Sequence, residues 1–260
     1  MAAPHLTRTE AVVLYRHDLG ETDRIVTLYT SQHGKVRAIA KGIRRPTSKL
    51  GGHLELFTHS LIMLAKGRTF DVITQAETVS SFLGLREDLL RTGLAYVVAE
   101  LVDRLTEDRS ENFPLFKLLV LTLDRVASAK YPAQAARLFA VQALDILGYR
   151  PELSRCVHCL KPLPPNGNRF SLINGGILCD NCRGIDPLAR VLSTNAIKLL
   201  RLFRENNWPL TNRVHVDSEL AEEIDQVVRR YCEVICESQI KSAGFVATLR
   251  HAAESKPVPT

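Results

Sequence analysis

The spacing of hydrophobic residues changes near residue 80. Before this point, short apolar runs rich in β-branched residues alternate with glycine-containing turns, which is typical of strands. We predict strands at residues 11–15, 25–29 and 36–40, followed by a hairpin made of 54–64 and 70–79. Five closely spaced strands favour a small barrel, and the OB-fold, which commonly binds oligonucleotides, is the five-stranded barrel that fits best.

After residue 80 the apolar residues recur at helical spacing. Asn112, Ser193 and Ser218 are suited to cap helices at their N-termini, and Gly148 is suited to a left-handed C-terminal cap. We predict helices at residues 89–105, 114–129, 132–147, 193–206 and 218–241.

Strands that are segregated from helices indicate an α+β protein. The expected organisation is an N-terminal five-stranded OB-fold barrel in residues 1–80, followed by an all-helical domain in 81–253. A cysteine-containing module, residues 154–184, is inserted into the helical domain, and residues 254–260 are expected to form a disordered tail.

Four of the six cysteines have metal-binding spacing. Cys156 and Cys159 are separated from Cys179 and Cys182 by 19 residues, which matches the spacing of zinc ribbons. A two-residue gap lets both thiolates of a pair reach one cation, and two pairs complete a tetrahedron. We predict one structural Zn²⁺ at these cysteines, because four sulfur ligands leave no open position for catalysis. The alternatives are free thiols or two redox pairs.

The remaining cysteines, Cys232 and Cys236, lie four residues apart on the last long predicted helix. They could form a second metal site. However, Cys232 shares one helical side with Ile224 and Ile235, which favours a buried cysteine that acts as a small apolar residue.

The charge of the chain favours a polyanionic partner, either nucleic acid or an anionic membrane surface. The chain has 34 Lys and Arg against 28 Asp and Glu, a formal charge of +6. Residues 25–54 contain no acidic residue, and Lys35 and Arg37 in this run share one sheet face. We predict that the run binds DNA phosphates through Lys35, Arg37, Lys41, Arg44, Arg45 and Lys49. The alternative is a basic face that contacts only water.

Proteins that bind single strands also offer aromatic platforms on which bases stack. The candidates are Tyr15, Tyr29, Phe57 and Phe70, although we expect most of them to lie in the core.

Motifs for other function classes are missing from the sequence. There is no phosphate-binding loop of the GxxxxGK[ST] type, so no use of ATP is implied. The segment His53-Leu54-Glu55 matches part of the zinc deaminase motif, but it falls in a predicted strand far from Cys156 and is best explained as a chance match. No secretory signal or membrane span is visible, which predicts a cytoplasmic protein.

Several segments together resemble the bacterial RecO family of DNA repair proteins. The similarity covers nearly all of the chain in the same order. It is clearest in EAVVL at 10–14, GETDRIV at 20–26, HGKV at 33–36, AKG at 40–42, RR at 44–45, LGYRP at 147–151 and GG at 175–176. One departure is Leu160, since zinc knuckles of this kind often have glycine after the second cysteine.

The resemblance implies an OB-fold, a helical domain and, in many members, a zinc module. It also implies binding to single- and double-stranded DNA, annealing of complementary strands, help in loading RecA during recombinational repair, and a location at the bacterial nucleoid. The implied partners are RecR, the acidic C-terminal tail of the single-stranded-DNA-binding protein and, indirectly, RecA. We therefore expect a non-enzymatic recombination mediator. A zinc-ribbon and OB-fold protein in transcription or RNA handling is the second hypothesis, and an enzyme is the third.

Overall fold

The computed structural model describes residues 6–254, and the chain divides into two compact units after Ser128. The first unit contains a barrel and three helices, and the second contains further helices and a small sheet. The last helix ends at Glu254, so residues 255–260 of the predicted disordered tail lie outside the described residues. Among residues 6–254, no helix combines the length and the apolar character that crossing a membrane requires.

Five strands close into a barrel in the order β1-β2-β3-β5-β4, which confirms the predicted five-stranded OB-fold. All neighbours in the barrel are antiparallel except β3 and β5, which run parallel. The strands are β1 (Leu6–Leu19), β2 (Asp23–Thr30), β3 (Gly34–Ala40), β4 (His59–Ala65) and β5 (Asp71–Ser80).

The predicted start of the fourth strand at residue 54 is wrong. Residues Gly51–Leu54 form a 3₁₀ turn instead, and Leu54 is completely buried against the barrel core. Phe57 then adopts a left-handed backbone conformation (φ +64°), which a continuous strand does not allow. Strand β4 can therefore begin only at His59.

The barrel interior is filled by inward-facing side chains that alternate along the strands. Val26 and Leu28 of β2 lie in one cluster with Val36 of β3 and Ile62 of β4, and each is at most 1% exposed. Burying a side chain of this size contributes roughly 1.5–3 kcal/mol to folding. The barrel thus has an apolar core of its own.

Three helices follow the barrel in the first unit: α1 (Gly84–Glu87), α2 (Leu89–Leu105) and α3 (Phe113–Ser128). The last two agree with the predicted helices at 89–105 and 114–129. Asn112 caps α3 as predicted, since its Oδ1 accepts a hydrogen bond from the Leu115 amide at 3.0 Å.

The loop between α2 and α3 packs on the edge where β3 meets β5. The Arg109 amide donates to the Lys35 carbonyl at 2.8 Å, and the Arg109 guanidinium lies 2.9 Å from the Asp71 carboxylate. Gly34 has a φ of +58°, and a Cβ atom there would lie 1.9 Å from the Ser110 carbonyl oxygen. The glycine of the HGKV segment is therefore needed for the loop to approach the barrel.

The second unit contains five helices among the described residues: α4 (Pro132–Ile146), α5 (Thr194–Arg204), α6 (Trp208–Thr211), α7 (Ser218–Ile235) and α8 (Lys241–Glu254). Arg137 of α4 forms a bidentate ion pair with Asp225 of α7 at 2.8 and 2.9 Å. A small sheet of order β7-β6-β8 is formed by β6 (Arg169–Ser171), β7 (Gly176–Leu178) and β8 (Arg190–Val191).

Two predicted features of the last helices differ from the structure. Ser193 caps α5 as expected, but Asp217 rather than Ser218 caps α7, because its extended backbone aims a carboxylate oxygen at the Leu220 amide (2.8 Å). The predicted helix at 218–241 ends at Ile235, and Glu237 has a left-handed φ of +49° that separates α7 from α8.

Candidate nucleic-acid interface and metal centre

The basic segment between β3 and the 3₁₀ turn, residues 41–50, is fastened to the turn between β1 and β2. An Asp23 carboxylate oxygen accepts hydrogen bonds from the Gly42 amide at 2.7 Å and from the Thr22 hydroxyl at 2.9 Å. The Arg44 amide also donates to the Thr22 carbonyl at 3.0 Å. These bonds, led by that of Gly42, lower the pKa of Asp23, so the carboxylate is charged and holds the segment at neutral pH.

The same segment is anchored on its apolar side. Ile43 is 5% exposed and belongs to the barrel core, so its side chain anchors the backbone of the segment to the barrel. The cationic residues of the segment are exposed; they are Lys41, Arg44, Arg45 and Lys49. Four of the six predicted phosphate ligands are thus gathered on one fixed segment at one end of the barrel.

The two predicted ligands on β3 have different surroundings. Arg37 is exposed, with one guanidinium nitrogen 4.0 Å from an Asp108 carboxylate oxygen. Lys35 shares its sheet face, as predicted, but only 7% of its side chain is exposed. Its ammonium group donates to the carbonyl oxygens of Asp103 (2.6 Å) and Thr106 (2.8 Å) and lies 3.2 Å from the Asp103 carboxylate. Lys35 is therefore placed to hold α2 and its following loop against the barrel, and not to meet a phosphate.

The aromatic candidates divide between core and surface. Tyr29 and Phe57 are buried, and Phe57 packs edge-on against Tyr96 with ring centroids 4.9 Å apart. Tyr15 and Phe70 are half-buried. Burial, together with the charges of Asp103 and Glu100, raises the pKa of Tyr15, so its hydroxyl stays protonated. Two of the four rings thus lie in the core, fewer than the majority that the sequence predicted.

Sequence reasoning missed one arginine in this region. Arg24 stands directly before the acid-free run of residues 25–54. Because its neighbour Asp23 is acidic, a pattern of uninterrupted basic sequence does not include it. In the structure its guanidinium Nε lies 2.8 Å from an Asp18 carboxylate oxygen. The other oxygen of Asp18 lies 3.3 Å from Arg44. The pairing of β1 with β2 sets Asp18 opposite Arg24, so only the register could have revealed this contact.

The four cysteines with metal-binding spacing come together as predicted. Their sulfur atoms all lie within 4.8 Å of one another, and the Cys159 and Cys179 sulfurs are 3.8 Å apart. A tetrahedral site with metal–sulfur bonds of about 2.3 Å has sulfur–sulfur edges of about 3.8 Å. The four side chains, Cys156, Cys159, Cys179 and Cys182, therefore fit around one metal ion.

The electrostatics of the cluster favour a cation at its centre. Burial opposes the charged form of Cys156, but backbone amides of Cys179, Cys159 and His158 donate to its sulfur and lower its pKa to about 6. Burial and the neighbouring sulfurs raise the pKa of Cys179, and they raise that of Cys182 to about 12. Four thiolates this close repel one another, and a bound cation removes that repulsion.

Tight backbone turns shape the module around the cysteines. Leu160, which follows the second cysteine, has a left-handed φ of +60° and a 61% exposed side chain. This conformation explains why glycine suits the position. Gly176 lies so close to the first cysteine pair that a Cβ atom would approach Val157 to 2.5 Å and the Glu152 carbonyl to 2.7 Å.

The other cysteines and the His53 motif lie outside this cluster. Cys232 is completely buried, in agreement with the apolar interpretation, and burial raises the pKa of its thiol to about 12. Cys236 is half-buried, with its sulfur 3.3 Å from the Ser238 carbonyl oxygen. His53 lies in the 3₁₀ turn, where its Nδ1 is 2.8 Å from the Thr78 hydroxyl.

Together these features define a class of protein with an N-terminal OB-fold barrel and a helical region that carries a four-cysteine metal-binding cluster. A family model described as Recombination protein O N terminal matches residues 1–82. A second, described as Recombination protein O C terminal, matches residues 86–243. The chain belongs to the Recombination protein O family, RecO, as its sequence segments suggested.

Curated relatives of similar length carry the same family name. The chain is 40% identical to the DNA repair protein RecO of Roseiflexus sp. (strain RS-1) over 243 residues, which is 94% of this chain and 86% of the relative. It is 33% identical to the DNA repair protein RecO of Bacillus subtilis (strain 168) over 93% of this chain and 94% of the relative. These matches place the chain in a DNA repair and recombination family.

Proposed function

We propose that this protein is a non-enzymatic recombination mediator that binds single- and double-stranded DNA and anneals complementary strands. The observation that carries the proposal is the fixed, exposed basic segment at one end of the OB-fold barrel. Membership of a DNA repair family supports the choice of DNA as the polyanion. The proposed contacts are Arg37, Lys41, Arg44, Arg45 and Lys49, whereas Lys35 holds the barrel and α2 together.

The physical basis of annealing is the removal of repulsion between two polyanions. Each phosphate that a lysine or arginine neutralises releases a counterion, which favours binding at low salt. Because Asp23 and Ile43 fix the basic segment, little conformational entropy is lost when DNA binds. Two strands that share such a surface repel each other less and can form base pairs without any chemical step.

We infer that the metal in the four-cysteine cluster is a single structural Zn²⁺. Four thiolates at this separation suit its preference for tetrahedral sulfur coordination. The cluster fills the coordination sphere completely, so the ion would hold residues 154–184 together and would not activate water.

The partners implied by the family complete the proposal. RecR and the acidic tail of the single-stranded-DNA-binding protein are expected to engage the region after Ser80. The protein would thereby help to load RecA indirectly, in the bacterial cytoplasm at the nucleoid. On this proposal residues 1–80 bind DNA and 81–253 supply the partner surfaces. Pull-down with the acidic tail peptide, using full-length protein, tests this part separately from DNA binding.

An annealing assay tests the central claim. Complementary fluorescent DNA oligonucleotides should anneal faster with the protein than without it, at low salt and without nucleotide. RNA strands of the same sequence run in parallel, because preferential annealing of RNA would favour the alternative role in RNA handling. Turnover of nucleotide or strand cleavage would contradict the non-enzymatic proposal.

A further inference from the structure

The carboxylate of Asp18 bridges two arginines at the end of the barrel that carries the basic segment. One oxygen lies 2.8 Å from Arg24 Nε, and the other lies 3.3 Å from Arg44 Nη1. All three side chains are open to solvent, at 52% exposure for Asp18, 28% for Arg24 and 39% for Arg44. A group with two anionic oxygens is therefore already held between two guanidinium groups on the surface.

The same arrangement of two guanidinium groups suits a phosphodiester. A phosphate in a DNA backbone also presents two anionic oxygens, and guanidinium groups bind them as they bind carboxylates. The hydrogen bond from Arg24, with the charge of Arg44, lowers the pKa of Asp18, so its carboxylate is ionised at neutral pH and occupies the position fully charged. Exposed ion pairs of this kind are weak and exchange readily.

We propose that Arg24 and Arg44 form a phosphodiester-binding subsite, that Asp18 occupies it in the free protein, and that the DNA backbone displaces Asp18. The inference rests on the proposed function, since it assumes that this end of the barrel binds DNA. It adds Arg24 to the DNA contacts and gives Asp18 the role of an internal competitor.

The backbone around the subsite does not depend on Asp18. The Arg44 amide donates to Thr22, and Asp23 binds the Gly42 amide, so the two turns are joined by bonds that displacement leaves intact. Arg44 also donates to the Gly20 carbonyl at 3.4 Å, which keeps its guanidinium near the site. Asp18 can therefore leave the arginines without loosening the frame that presents them.

Replacement of Asp18 by asparagine tests the displacement against a matched control. Asp18→Asn should tighten binding of a dT oligonucleotide about three- to fivefold at low salt, because the competing carboxylate is gone. Glu21→Gln removes the same charge from the neighbouring turn, where Glu21 is exposed and makes no ion pair within residues 6–254. It should change affinity by less than about twofold, since exposed charges are screened by salt.

Arg24 supplies the second readout. Arg24→Gln should weaken binding about threefold and make the plot of log affinity against log salt shallower by about 0.7, the value for one phosphate contact on a single strand. In the Arg24→Gln background, the gain from Asp18→Asn should shrink towards that of Glu21→Gln. Thermal unfolding of each variant shows whether it is folded, and the Arg24 variant tests the site even if Asp18→Asn does not fold.

The outcomes separate this inference from the proposed function. Equal affinities for Asp18→Asn and Glu21→Gln, or an unchanged salt slope in Arg24→Gln, would overturn the subsite while DNA binding by the wild type still stood. Failure of the wild-type protein to bind the oligonucleotide at low salt would instead reject the proposed function.

Discussion

The barrel and the cysteine module are stabilised in different ways. The barrel encloses a cluster of twelve buried apolar residues contributed by all five strands and the two anchor residues Ile43 and Leu54. In the buried cluster of the module, three of the five residues are the proposed metal ligands Cys156, Cys179 and Cys182. The barrel can thus fold on hydrophobic burial, whereas the buried cluster around the cysteines contains only Leu178 and Ala189 besides the proposed ligands. Removal of the metal should therefore unfold the module and leave the barrel folded.

The largest expected effect is the loss of the metal. Structural zinc contributes roughly 10–16 kcal/mol in small zinc-binding peptides, far more than any single apolar contact. Cys156→Ser, or chelation, should unfold residues 154–184 and leave the oligonucleotide affinity of the barrel within about twofold of wild type. Elemental analysis measures the zinc content, limited proteolysis measures the unfolding of residues 154–184, and fluorescence anisotropy measures the oligonucleotide affinity.

Cys236→Ser is the control for this experiment, because Cys236 lies outside the cluster. It should retain one zinc per chain and resist protease as wild type does. Wild-type protein that is folded and reduced but contains no zinc would contradict the metal dependence of the module. Loss of DNA binding in Cys156→Ser would contradict the independence of the barrel. Since thiolates must form before the metal binds, zinc should also be lost as the pH falls.

Substitution of Gly34 should destabilise the barrel and leave the stability of the cysteine module unchanged. Gly34→Ala places a methyl group on the Ser110 carbonyl and keeps a left-handed φ, so we expect a loss of roughly 3 kcal/mol in the free energy of unfolding. Gly20→Ala has a similar φ of +60° but meets nothing within 4 Å, and should cost only about 1 kcal/mol. Denaturant unfolding checks both; equal losses would show that the α2–α3 loop does not press on the β2–β3 turn.

A smaller effect concerns function rather than folding. Arg44→Ala with Arg45→Ala should weaken oligonucleotide binding about tenfold at low salt and make the salt slope shallower by about 1.4, the value for two phosphate contacts, without changing sequence preference. Arg8→Ala with Arg68→Ala is the control, since both arginines are exposed elsewhere on the barrel. Anisotropy titrations over several salt concentrations measure this, and equal losses in both double variants would reject a localised site.

The smallest expected effect is a gain. Leu160→Gly should relieve the left-handed strain after the second cysteine and tighten zinc binding about two- to fivefold in competition with a chelator. Leu160→Ala keeps a Cβ atom and the same φ, so it should give little gain. If alanine helps as much as glycine, the exposed leucine side chain and not its backbone is the cause.

Much of this architecture is encoded by local sequence. The four-cysteine cluster is predicted by spacing alone, because each cysteine pair needs only its own short turn to bring two sulfurs together. The strand runs likewise predict the barrel, but β4 begins later than expected because Phe57 takes a left-handed conformation that no pattern of apolar residues announces.

The surroundings of individual basic residues in the proposed DNA-binding surface depend on tertiary contacts and strand register. The sequence pattern predicts Lys35 as a phosphate ligand. In the structure, however, its ammonium group donates to the carbonyl oxygens of Asp103 and Thr106, which lie about 70 residues away in the chain. Arg24 was missed because the neighbouring Asp23 interrupts the basic sequence, and its contact with Asp18 follows only from the strand register. Composition identifies which residues are charged, and tertiary structure decides which of them remain available.

The short parallel junction between β3 and β5 has a consequence for motion. Only Ala38 with Asp71 and Ile39 with Val72 are paired there, whereas β2 and β3 are paired over seven residues. Local opening of a barrel starts where the fewest hydrogen bonds must break. We expect amide hydrogens along this junction to exchange with deuterium before those of β1 and β2. The barrel would then open locally between β3 and β5, and the loop that carries Arg109 would oppose this opening because Arg109 contacts both strands.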